Sequence, residues 1–112
     1  MKLTCPQFKT NVIGAVLVVN AFLPLLEKGA TKKVVTISSS AADVDFIVKS
    51  GWSASASYSV SKSAVNMVNA KYAAEFQEKG FVFLAISPGF VKTWDSKSEC
   101  LCALAVAIAT YL

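Results

Sequence analysis

The sequence predicts an α/β chain in which helix, strand, helix and strand follow one another, ending in a weaker apolar helix. Three observations carry that expectation. Apolar residues recur at helical spacing through two long segments, short β-branched or aromatic runs follow each of them, and Gly or Pro-Gly marks the joins. A strand, a long crossover helix and a second strand make a right-handed βαβ unit with a parallel strand pair.

The first helix is read over about residues 8–28, "FKTNVIGAVLVVNAFLPLLEK". Phe8, Val12, Ala15, Val16, Val19, Phe22, Leu23 and Leu26 follow the i, i+3, i+4 pattern. Leu17 and Val18 widen the stripe, so burial on more than one side is expected. Gly29 supplies the stop. "KKVVTISSS" follows, and its unbroken run Val34, Val35, Thr36, Ile37 suits a parallel strand covered on both faces. Residues 40–57, rich in Ser, Ala, Asp and Gly, read as a loop. A second helix is expected over about residues 57–79, with Val60, Ala64, Met67, Val68, Tyr72 and Phe76 spaced helically and Gly80 closing it. "FVFLAIS", 81–87, is a second buried-strand pattern ended by Pro88-Gly89. The text then turns polar, "DSKSE", and finishes in the apolar Leu101–Leu112, read as a weak helix that either folds over an uncovered sheet face or frays.

Composition narrows the chemistry. The 112 residues suffice for one small domain, and 54% hydrophobic against 16% charged excludes a disordered segment. The net charge of +4 is carried by scattered lysines without arginine, a poor footprint for nucleic acid. The absence of histidine removes Ser-His-Asp and Cys-His chemistry and most zinc sites. Cys5, Cys100 and Cys102 form no disulfide framework, which favours a reducing, cytoplasmic setting and no metal. Val12–Leu26, interrupted by Asn20 and Pro24, is too short to span a bilayer comfortably, so no membrane partner is expected.

Acid–base work therefore falls to Tyr, Lys, Asp, Glu or Cys. "YSVSK" places Tyr58 and Lys62 four positions apart, one helical turn on a shared face. An ammonium so close to a phenol favours the phenolate, which equips the pair to exchange a proton with a carbonyl oxygen. Alone, the pair reads equally as two surface residues. Its context adds the serines Ser38, Ser39 and Ser40 at the C-terminal end of the first strand, where open α/β sheets bind ligands. Phe46, Ile47 and Trp52 between the serines and Tyr58 are candidates for an apolar substrate wall or simple loop anchors.

The series "NVIG", "VVTISSS", "YSVSK" and "SPG" resembles the second half of the short-chain dehydrogenase/reductase family, and "YSVSKSAVNMVNAKYAAEF" is most similar to its fungal-type carbonyl reductases. The resemblance covers about residues 8–93, leaving 94–112 as a divergent tail of the single domain 1–112. It implies a partial Rossmann-like fragment of a doubly wound parallel sheet and hydride transfer between NAD or NADP and a carbonyl or alcohol substrate, with NADP slightly favoured. The catalytic residues it implies are Asn11, Ser39, Tyr58 and Lys62. Tyr58 would be the acid in reduction and the base in oxidation, and Lys62 would assist its ionisation and hold the nicotinamide ribose. Ser39 would bind the substrate oxygen, and Asn11 a relay water, although Asn11 also suits a cap or a polar helix face. Strand phase favours Ser39 over Ser38 and Ser40. The Ser39-to-Tyr58 gap of nineteen positions exceeds the family's usual spacing, so either a loop is inserted or Ser40 acts. Pro88, Gly89 and Thr93 would face the nicotinamide, with Thr93 on its carboxamide, though Pro-Gly breaks a strand in any fold.

Gly14, Gly29, Gly51, Gly80 and Gly89 are too dispersed for a phosphate-cradling loop. The expectation is a truncated family member without its cofactor half, inactive by itself. The alternative is a non-enzymatic fragment that pairs, as a homodimer or with a full-length relative, through its two long helices, which in the family form the subunit interface.

Overall fold

The computed structural model describes residues 5–89 and 108–111. Its elements are α1 (Cys5–Phe8), a π-helical segment (Lys9–Ile13), α2 (Gly14–Lys28), β1 (Lys33–Ile37), a 3-10 turn (Ser40–Ala42), α3 (Val44–Ser50), α4 (Ala56–Phe76), a second 3-10 turn (Gln77–Lys79), β2 (Val82–Ile86) and β3 (Ile108–Tyr111). The first three run on in right-handed helical backbone at each junction. The π segment shows where the Gly14 N–H reaches the Lys9 carbonyl, five residues back. The expected first helix is thus present with one extra residue wound into it.

β1 and β2 pair in parallel with Val34 opposite Phe83 and Thr36 opposite Ala85, so these four side chains share one sheet face. That face holds the core. Phe83 is fully buried among Ala73, Phe81, Tyr72 and Phe76, and Val19, Leu23 and Leu26 of α2 pack against the same cluster. Tyr72 stacks on Phe83 with ring centroids 5.5 Å apart, and Phe76 meets Phe81 edge-on at the same distance. Aromatic residues thus fill the gap between the helices and the parallel pair.

Three expectations are corrected. The strands are not covered on both faces: β1 alternates between exposed and half-buried, leaving Val35 and Ile37 more than half exposed. Both long helices lie against the other face. Second, residues 40–57 are not merely loop. Asp43 caps α3 by accepting the Phe46 N–H at 2.7 Å, and Gly51 ends it at φ 66, a left-handed conformation that glycine takes without strain. Third, the C-terminal apolar segment is not a helix where it is described. Ile108–Tyr111 pairs antiparallel with β2, Phe83 facing Tyr111 in register. The β-branched Ile108 and Thr110 and the aromatic Tyr111 favour a strand, and the free edge of β2 supplies the hydrogen-bonding row. Residues 101–107 lie outside the described residues.

The helix Pro6–Lys28 is long and apolar enough to cross a membrane by length and composition, longer than the sequence reading allowed. It packs on one side only, where burial on more than one was expected: Leu17, Val18, Phe22 and Leu25 are each more than half exposed. Val12 is buried, Asn11 bonds to Ser61, and Asn20 accepts the Tyr72 hydroxyl at 2.6 Å.

Candidate active site

β1 delivers three serines to the top of the sheet, and each is held differently. Ser38 continues the ladder through its N–H to the Ile86 carbonyl, and its buried hydroxyl donates to Asn66 Oδ1 at 2.6 Å. The side chains of residues 34, 36 and 38 therefore face the helices, and alternation turns Ser39 away from them. Ser39 Oγ accepts the Ala41 N–H at 3.2 Å and so caps the 3-10 turn. The Ser40 N–H donates to the Ser87 hydroxyl at 2.9 Å, tying the ends of β1 and β2 together.

α4 carries Tyr58 in its first turn, and polar contacts along the helix register it on its neighbours. Lys62 Nζ donates to the Ile37 carbonyl at 2.8 Å, and Thr36 Oγ1 donates to Asn69 Oδ1 at 3.1 Å. With Ser38–Asn66, these contacts lock positions 62, 66 and 69 of α4 to residues 36–38, the end of β1 and the residue after it. On the opposite side, Asn11 Nδ2 donates to Ser61 Oγ at 3.0 Å, and Ser61 Oγ donates to the Tyr58 carbonyl at 2.8 Å. Asn11 thereby joins the π segment to the turn that bears the tyrosine.

Ser39, Tyr58, Pro88 and Gly89 line one cavity of about 470 Å³, together with Ser38, Ser40, Ser87, Phe46 and Trp52. Lys62 and Asn11 lie outside this lining. Lys62 sits one turn further along α4, its ammonium 5.8 Å from the centroid of the Tyr58 ring. Ile47, the third residue suggested for an apolar wall, does not line the cavity, and Thr93 lies outside the described residues.

Sequence reasoning passed over Ser87, Ser61, Asn66 and Asn69. The signal for Ser87 was present: residues 83, 85 and 87 alternate onto the buried face, which makes a serine there a partner for something. For Ser61 and Asn69 the helical spacing misled: Val60 and Met67 of the expected apolar stripe are exposed, and the helix buries Ser61, Val65, Asn69 and Ala73 instead.

The residues present fit one end of a nicotinamide dinucleotide. The cavity has room for a planar ring beside Tyr58 and Ser39, and Gly89, at φ 73, turns the chain along its wall. A pyrophosphate cradle is not found among the described residues, whose glycines stand singly. Nor is there, among the described residues, a cluster of side chains that could hold a metal ion.

The sequence model of the short chain dehydrogenase family matches residues 5–99. The chain is 46% identical over 89 residues to the short-chain dehydrogenase/reductase AacuF of Aspergillus aculeatus, covering 79% of this chain and 34% of that protein. To the short-chain dehydrogenase/reductase atnB of an Arthrinium species it is 42% identical over 83 residues, 74% of this chain and 31% of the relative. It thus spans about a third of the length of these curated relatives. Among solved structures it resembles the NADPH-bound carbonyl reductase from chicken fatty liver, with a TM-score of 0.69 and 30% identity over 80% of this chain and 40% of that one.

Proposed function

Because the chain belongs to the short-chain dehydrogenase family, we propose that its cavity is the nicotinamide end of a site that interconverts carbonyls and alcohols, with Tyr58 as the proton-transferring group. The observation that carries this reading is the meeting of Tyr58 and Ser39 in one cavity with Pro88 and Gly89. A bound reduced nicotinamide would supply the hydride to the carbonyl carbon. Tyr58 gives its phenolic proton to the carbonyl oxygen, and Ser39 donates a hydrogen bond to the same oxygen as negative charge grows there. Lys62, on the same helix face, offers an ammonium to the phenolate left behind and to the ribose. Asn11 acts one step further back, steadying the turn of Tyr58 through Ser61 and offering its remaining amide oxygen to a relay water. Likeness to the NADPH-bound carbonyl reductase favours NADP(H) over NAD(H).

These 112 residues hold the cofactor weakly by themselves in this reading, because no phosphate cradle is found among the described ones. Titration with NADPH and NADH, followed by nicotinamide fluorescence, tests it. Weak saturable binding that Lys62→Ala reduces supports the half-site; a flat response at millimolar cofactor would overturn it.

A second reading rests on a different observation, the exposure of Leu17, Val18 and Leu25 on α2 and of Met67 on α4, each more than half open. Two such helices on one face suit isologous pairing with a second copy. Light scattering of the chain against Leu17→Glu/Met67→Glu checks this, the pairing reading requiring a dimer that the double variant dissolves.

A further inference from the structure

From the cavity walls we infer that the site is built for a neutral, planar aromatic ketone, with Phe46 and Trp52 as the residues that select it. The inference rests on the reading of Tyr58 and Ser39 as the carbonyl-facing pair. Three aromatic side chains, Phe46, Trp52 and Tyr58, line the one cavity. Among the described residues Phe46 and Trp52 make no ring–ring contact, which leaves these two rings to a ligand, whereas the Lys62 ammonium stands 5.8 Å from the Tyr58 centroid. Ile37 and Pro88 add apolar surface, and no Lys, Asp or Glu lines the cavity among the described residues. A carboxylate or phosphate entering there would meet serine hydroxyls but no cation in the cavity lining, Lys62 being held at the Ile37 carbonyl outside it, so it is disfavoured against a neutral ketone.

The two selecting rings stand on a frame that is already braced. The Phe46 N–H is held by Asp43 Oδ1 at 2.7 Å, and the Trp52 N–H by Ser50 Oγ at 3.3 Å. Gly51 closes α3 through the Ile47 carbonyl, and Ser63 Oγ donates to the Ala42 carbonyl at 2.9 Å, fastening this segment to α4 one turn beyond Tyr58. A wall braced in this way costs little ordering when a ligand arrives.

The test uses the full chain carrying Trp94→Phe, which leaves Trp52 as its one tryptophan. Its fluorescence is followed on titration with a naphthyl methyl ketone, the same ketone bearing a ring carboxylate, and cyclohexyl methyl ketone. The expected result is saturable quenching by the naphthyl ketone, affinity about fivefold or more weaker for the cyclohexyl ketone, and weaker binding of the carboxylate. Phe46→Leu keeps apolar bulk without the ring and should weaken the naphthyl ketone about threefold or more; because Phe46 is 41% exposed, this variant keeps its core. Equal affinity for all three ketones, no binding of any, or an unchanged Phe46→Leu overturns the inference. Its failure differs from that of the parent reading. A naphthyl ketone that binds while NADPH and NADH both give flat titrations defeats the oxidoreductase reading alone, whereas saturable cofactor binding with ketone affinities that ignore ring type defeats the aromatic selection alone.

Discussion

The Lys62 ammonium and the Ile37 carbonyl are 2.8 Å apart, so the helix that carries Tyr58 is latched to the last residue of β1. The latch places the ammonium a turn from the tyrosine without use of an acidic partner, leaving its other two donors for a ligand. Lys62→Met keeps the stem and removes the donors. It is expected to weaken NADPH binding about tenfold or more. Lys62→Arg should not restore it, since a planar fork cannot replace a compact ammonium. Parallel fluorescence titrations of the three proteins check this.

A second relationship concerns Ser38 and Asn66, joined across 2.6 Å with Ser38 buried. Removing Asn66 leaves the Ser38 hydroxyl buried and unpaired, at a cost of about 1–3 kcal/mol, whereas removing Ser38 leaves a half-buried Asn66 and should cost less. Ser38→Ala and Asn66→Ala should each lower the denaturation midpoint. The double variant should cost clearly less than the sum, because its second substitution removes a group already orphaned. Urea unfolding of the four proteins measures the cycle.

The sequence made the order of elements legible because both long helices carry apolar residues at helical spacing and both parallel strands are short, unbroken β-branched or aromatic runs. Val34 and Phe83 fall on the core face, as any strand reading would place one member of each alternating pair. It did not reveal which face stays open, since Val35 and Ile37 are as apolar as their buried neighbours and only the packing of α2 and α4 on one side distinguishes them. α3 was hidden by composition. Its signals were an Asp43 cap and a Gly51 stop around only seven residues, a length at which periodicity says little. The grouping of Ser39 with Tyr58 followed from motif order, but the separate tasks of three adjacent serines did not. Those depend on Asn66 and Ser87, partners 28 and 47 positions away.

Asn69 is buried, accepts from Thr36 through Oδ1, and leaves Nδ2 without a hydrogen-bond partner. Thr36→Val alone removes its one bond from the strand and should destabilise by about 1–3 kcal/mol. Combining it with Asn69→Leu replaces both polar groups by apolar ones beside Val12, Val19, Val65 and Val68. That pair should return to within about 1 kcal/mol of the parent or exceed it. Thermal unfolding of the single and double variants distinguishes a polar contact that stabilises from one that merely fixes register.

Two groups give the stability a pH dependence of opposite sense. Glu27 has its pKa held below the usual glutamate value, first by the hydrogen bond from Lys79 at 2.8 Å and then by the charge of that ammonium. Its contribution is present above the unfolded pKa and is lost as pH falls through the lower folded value. Both side chains are well exposed, so this acid limb is shallow and salt-sensitive. Tyr72 is shifted upward, chiefly by burial and then by Glu75, against the Asn20 hydrogen bond. Its folded state prefers the phenol, so its contribution is complete below the unfolded pKa of 10.0 and is lost as pH rises through the folded value. Tyr72→Phe should flatten the alkaline limb of a stability–pH curve while leaving the acid limb in place. Lys79→Met should do the reverse, and midpoints of urea unfolding across both limbs would show whether the two effects separate.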